Sequence, residues 1–91
     1  MTKLTAKNKD NESQVEYMVQ MAGIHYAEFK RNQELHRELA EVFGEGFASE
    51  CANNQYAAFE ATIQCIQIFV VEGYEEIHNA VVERYEKAIA A

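Results

Sequence analysis

The sequence predicts an all-α protein, an antiparallel helical hairpin that associates into a four-helix bundle. Three observations lead there. The 91 residues include no proline and only four glycines, Gly23, Gly44, Gly46 and Gly73, which is too little turn chemistry for a β fold. Apolar residues recur at three- and four-residue spacing along two long stretches. The one clear break, Gly44-Glu45-Gly46, lies between those stretches, and a short turn between two apolar stripes makes them antiparallel neighbours.

Residues 1–10 are polar, with Lys3, Lys7 and Lys9, and are expected to form a flexible tail ahead of a single helical-hairpin domain, residues 11–91. Ser13 and Glu16 have the spacing of a capping box, in which the serine accepts an orphan backbone N–H and the glutamate reaches back to the cap. A first helix should therefore start near Ser13. Its seam is Val15, Met18, Ala22, His25, Phe29, Asn32, His36, Leu39 and Phe43, widened by Val19, Tyr26 and Ala40. A stripe this broad belongs to a bundle more than to a two-stranded coil. Glycine directly after Phe43 suits a left-handed helix end.

The second helix is expected from about Ala48 to Ala88. Its main stripe is Tyr56, Phe59, Ile63, Ile66, Val70, Gly73, Ile77, Val81 and Tyr85. A second stripe, Ala58, Ala61, Cys65 and Ile68, lies on another side. Gly73 offers a point where this helix can bend or break, giving a three-helix version. Unbroken helices of about 30 and 40 residues would span about 45 and 60 Å. A two-layer hairpin cannot enclose a helix that is apolar on two sides, so a dimer, or pairing with a similar helical chain, is the simplest remedy.

Charge narrows the function classes. The net charge is −7, yet between Arg37 and Arg84 there is no lysine or arginine and there are nine glutamates. Such an acidic body disfavours direct nucleic-acid binding and anionic membrane surfaces, and it permits a basic protein partner. The glutamates fall in two patches, Glu38, Glu41, Glu45 and Glu50 near the turn, and Glu72, Glu75, Glu76 and Glu83 beyond Val71. Cys51 and Cys65, about 21 Å apart on one helix, are expected as free thiols of a protein made in the cytoplasm. No standard secretory signal is visible at the N-terminus, so any export would proceed without one.

Candidate chemistry is sparse. Glu75 and His78 have the Glu-x-x-His spacing of carboxylate-bundle metal sites, and a turn centred near residue 45 would bring Glu12 or Glu16 opposite. The same spacing arises by chance in any glutamate-rich helix, and no metal or other cofactor is expected. That register also sets His25 opposite Cys65, two ligands that a symmetric dimer would make four, against the commoner case of a core histidine beside a buried thiol. His25, Asn32 and His36 on the seam read either as a pH-sensitive interface or as polar residues that fix register, and the latter is preferred. There is no nucleophile elbow, no phosphate-cradling loop and no familiar Cys-His arrangement, so no catalytic residue is assigned and an enzyme is not expected. The acidic patches read as ordinary solubilising surface or as a phosphate-like face that masks a basic nucleic-acid-binding protein, as small phage-type inhibitors do.

Phe43-Gly44-Glu45-Gly46 at the midpoint, Phe59 beyond it, and the spaced Ile66, Val70 and Ile77 resemble the layout of the small Trp-x-Gly helical-hairpin proteins of type VII secretion, over residues 12–88. The chain has no tryptophan, carrying Phe43 before its turn glycine, and it has Ile89 where that family's C-terminal signal has an acid. The resemblance implies a homo- or heterodimeric four-helix bundle and export as a folded pair. Together these features point to a non-enzymatic protein–protein interaction module. Phe43, Phe59, Ile63, Ile66, Phe69, Val70 and Ile77 are the candidate packing and association residues. An acidic inhibitor or adaptor is the alternative, and a metal-binding bundle through Glu75 and His78 the second.

Overall fold

A computed structural model describes residues 2–90, with side chains to Lys87. Among the described residues the structure is all-helical, with four α-helices and no named strand: α1 Glu12–Glu34, α2 His36–Phe43, α3 Glu45–Phe69 and α4 Tyr74–Ala90. A short 3-10 turn, Lys9–Asn11, precedes α1. The molecule measures 48 × 27 × 19 Å.

The helix ends follow local chemistry, though not always the chemistry expected. α1 starts at Glu12 on Asn11, without a side-chain cap. The Ser13–Glu16 capping box does not form, because Ser13 lies inside the first turn and the Glu16 carboxylate is held by Arg84 of α4. α1 and α2 are separated by one residue, Leu35, at φ −93° and ψ 6°. No glycine or proline marks that interruption, and we find no sequence cause for it. Gly44 closes α2 at φ 99°, a conformation that glycine adopts without a Cβ clash, and α3 follows at once from Glu45.

The expected second helix is two helices. α3 ends at Phe69, and Val70 is extended at φ −119° and ψ 158°. The chain then turns through Val71–Gly73, and α4 returns to pack on both α1 and α3. Glu76 starts α4 by accepting the Gly73 N–H at 2.7 Å, the glutamate half of a capping box. The break shortens the rod. α3 alone spans about 37 Å, and α4 joins α1 over its main stripe, with Ile77 and Val81 packed in one cluster with Phe59, Ile63 and Ile66.

Residues 2–7, expected as a tail, lie against this break. The Lys7 N–H donates to the Phe69 carbonyl at 2.8 Å and the Val71 N–H to the Thr5 carbonyl at 2.9 Å, around an antiparallel Ala6–Val70 bridge. Leu4 and Ala6 pack on the core while Lys3, Thr5 and Lys7 face solvent. The period-2 alternation of Thr2, Leu4 and Ala6 with Lys3, Thr5 and Lys7 is the signal that composition hid.

The core is one cluster: Val15, Val19 and Ala22 from α1, Phe59, Ile63 and Ile66 from α3, Val70, and Ile77 and Val81 from α4. Tyr26 closes one side, its ring 5.2 Å from that of Phe59 and 5.1 Å from that of Tyr85. No buried side-chain oxygen or nitrogen among the described residues lacks a partner, so the core carries no uncompensated polar group.

Candidate functional site

Burial divides the seven candidate packing residues. Phe59, Ile63, Ile66, Val70 and Ile77 are fully enclosed by the chain's own helices, and Phe69 packs at the core's edge. They build the fold and are not free to meet a second chain. Phe43 is 62% exposed, because α2 ends where no other element covers it.

The second stripe is the informative feature. Of its residues, Ala61, Cys65 and Ile68 are exposed on α3, opposite the side that carries Phe59, Ile63 and Ile66, whereas Ala58 is half-buried and Ala57 and Gln64 take the exposed places beside them. Asn53 and Asn54 extend this face toward the corner, and Val71 (68% exposed) extends it past the helix end. Glu60 is the one charged residue between Glu50 and Glu72, and it stands half-buried at the edge of this face, where its carboxylate accepts from the Tyr74 hydroxyl. Folding α4 back has satisfied one apolar side of α3 and left the other uncovered.

A second apolar surface sits at the α2–α3 corner. Val42, Phe43 and Phe47 are 72%, 62% and 46% exposed, and the two phenylalanine rings lie 5.0 Å apart. Glu38, Glu41, Glu45 and Glu50 are all exposed around them. Arg37 reaches Glu41 at 3.4 Å, and His36 Nε2 lies 2.6 Å from Glu45 Oε1. The other acidic patch is partly engaged. Thr2 donates its N–H and hydroxyl to Glu83 at 2.6 and 2.8 Å, and the Thr5 N–H donates to Glu72 at 2.7 Å. These bonds hold both carboxylates below the ordinary value, while Glu75 and Glu76 stay exposed.

The sequence-derived register does not hold. The His25 Nδ1 contacts Gln55 Oε1 at 3.2 Å, Asn32 Nδ2 donates to the Cys51 carbonyl at 3.4 Å, and the Phe29 ring lies tilted 5.0 Å from that of Tyr56. The α1 residues thus meet α3 earlier than a turn at residue 45 requires, since α2 and the Leu35 interruption take up chain length. Gln55, not Cys65, faces His25, and ten residues of helix separate those positions by about 15 Å. Cys65 is an exposed thiol and Cys51 a half-buried one, neither in a disulfide.

The metal candidates gain no third ligand. Glu75 is exposed, the His78 ring lies edge-on to Phe59 at 5.4 Å, and Glu16, whose carboxylate might have faced them, is drawn to Arg84 and held below its ordinary pKa by that bond. Among the described residues no group of three or more His, Cys, Asp or Glu side chains comes together to hold a metal. A groove of about 1130 Å³ runs where residues 2–6 cross α1 and α4, with Leu4, Val15, Val19, Ala80 and the Glu16–Arg84 pair in its walls. It presents no cysteine, serine or histidine. No helix among the described residues is long and apolar enough to cross a membrane.

Comparison with known proteins finds no family model, no curated protein and no solved structure that matches this chain. The likeness to the type VII hairpins therefore rests on the layout of the sequence.

Proposed function

We propose that the chain is a non-enzymatic association module. It acts as an antiparallel helical hairpin, with α4 folded back as a third helix, and pairs with a second copy or a similar helical chain to complete a bundle. The observation that carries this is the exposed face of α3 from Asn53 to Ile68, directly opposite the buried side, with Asn54, Ala61 and Ile68 along its middle and Glu60 at its edge. Small side chains at Ala57 and Ala61 allow close helix approach, and Ile68 with Val71 supplies the larger apolar area. Two copies meeting along Ala61 and Ile68 leave the Glu60 carboxylate at the rim, clasped by the Tyr74 hydroxyl, so the desolvation penalty of burying a charge is limited. The type VII-like layout supports pairing of this kind.

Sedimentation equilibrium tests it. The wild-type chain should associate, and the double substitution Ala61→Glu/Ile68→Glu should give a monomer with an unchanged helical circular-dichroism spectrum. Each glutamate would otherwise be buried without a partner, a penalty large enough to abolish a dimer of ordinary affinity. A wild-type chain that stays monomeric across the accessible concentration range sinks the proposal.

A further inference from the structure

We infer that the α2–α3 corner is a docking site for a basic amphipathic helix of another protein, at the opposite end of α3 from the Ala61–Ile68 self-association surface. Val42, Phe43 and Phe47 form an exposed apolar knob at this end, and aromatic residues in such positions are the usual anchors of protein interfaces. The knob lies within a ring of exposed carboxylates, Glu38 and Glu41 on α2 and Glu45 and Glu50 on α3. From Glu38 to Ala58 there are four acidic residues and no lysine or arginine, so that segment carries −4. Arg37 is the nearest cation in sequence, with His36 able to add a second when protonated, and each already faces a carboxylate.

The charge selects the occupant. A second copy docked corner to corner would set two such acidic rings against each other. Nucleic acid and anionic lipid are repelled for the same reason. A helix with aliphatic or aromatic side chains on one stripe and lysine or arginine beside it satisfies both features, its apolar stripe covering Phe43 and Phe47 and its cations reaching the ring. Phe47 stands at the corner end of the same side of α3, twenty-one residues or about 31 Å along the helix from Ile68, so the two sites are told apart by which end of α3 each uses.

The test measures fluorescence anisotropy of a labelled synthetic leucine–lysine amphipathic helix against the full-length chain. Saturable binding is expected, weakening as salt rises. Phe43→Ser/Phe47→Ser should weaken it by at least about tenfold with circular dichroism unchanged, since both side chains are already exposed. Glu38→Gln/Glu41→Gln/Glu45→Gln should weaken it and flatten its salt dependence. Ala61→Glu/Ile68→Glu should leave it intact, even if that variant shows the self-association proposal to be wrong. The inference is overturned if the peptide does not bind, if the serine variant binds equally well, or if a leucine–glutamate peptide or phosphatidylcholine vesicles bind in its place. It is also overturned if the serine variant dissociates a dimer, because a second copy then covers the knob.

Discussion

At one end of the molecule Phe59, Ile63 and Ile66 are sealed from solvent. At the other, Val42, Phe43 and Phe47 stand largely in it. The residue types are similar, so hydrophobicity does not explain the difference. The number of covering elements does. Around Ile66 the chain supplies α1, α3, α4 and the paired residues 2–7, whereas the corner has only α2 and the first turns of α3. Two helices can bury one stripe each, while a third encloses the space between them. Ala48 is the only fully buried apolar residue at the corner, and it is too small to anchor a core. One end is therefore sealed by the chain's own helices, and the other stands open to solvent.

The sharpest way to break this contrast is to cut the same side chain at both ends. Phe59→Ala should destabilise the chain by about 3–5 kcal/mol, because it opens a cavity lined by α1 and α4. Phe43→Ala should change stability by no more than about 0.5 kcal/mol. Urea unfolding monitored by circular dichroism measures both. Equal losses would mean that the corner is packed in solution.

The next prediction concerns what seals the packed end. Lys7→Pro removes the N–H that donates to the Phe69 carbonyl and should cost about 1–2 kcal/mol while leaving the lysine-bearing surface otherwise unchanged. If residues 2–7 hung free, the substitution would be neutral.

Much of this contrast was legible in the sequence, and the failures have physical causes. The all-α class, the turn at Gly44 and the apolar stripes Val15–Ala22 and Phe59–Ile66 all follow from periodicity and the scarcity of breakers. The break at Val70–Gly73 was legible only as an option, because Gly73 is tolerated within helices and what ends α3 is the pairing of Val70 with Ala6, a contact sixty-four residues away in sequence. The docking of residues 2–7 is hidden in the sequence because three lysines outweigh a short alternation. Glu16 was assigned to a local cap because its distant partner Arg84 lies on a helix whose return could not be foreseen. The candidate site divides the same way. Phe43 and the second stripe were named from the sequence, but which stripe the chain would cover depended on α4.

Acid should loosen the packed end before it unfolds it. Glu72 and Glu83 bind Thr5 and Thr2 as carboxylates, and those bonds place both below the ordinary 4.5. A depressed folded-state value means that each contribution is complete above 4.5 and is lost as the pH falls through the lower value. The amide signals of Thr5, Lys7 and Val71 should therefore shift together below pH 4.5 while the core methyl signals of Ile63 and Ile66 hold. Glu72→Gln/Glu83→Gln should abolish that early transition. The corner has no comparable docked segment, so Glu72→Gln/Glu83→Gln should leave its signals as they are in the wild type.

The smallest effect isolates the joint between α3 and α4. The Tyr74 hydroxyl donates to both oxygens of Glu60, at 2.6 and 2.7 Å, and this bond, more than burial or the nearby charge, raises its pKa to about 12. The sign is opposite to that of the carboxylates. The contribution of the neutral phenol is complete below the ordinary value of 10 and is lost as the pH rises through about 12. Tyrosinate absorbance should show a late-ionising residue that Tyr74→Phe removes. Glu60→Gln should lower Tyr74 and also Tyr56, which the same carboxylate raises. Because the bond is at the surface, Tyr74→Phe should cost only about 0.5 kcal/mol, far less than Phe59→Ala. That ordering would place the hold on α4 in Ile77 and Val81 rather than in the polar clasp. A larger loss would make the clasp, and with it the direction in which α4 returns, the feature that separates the sealed end from the open one.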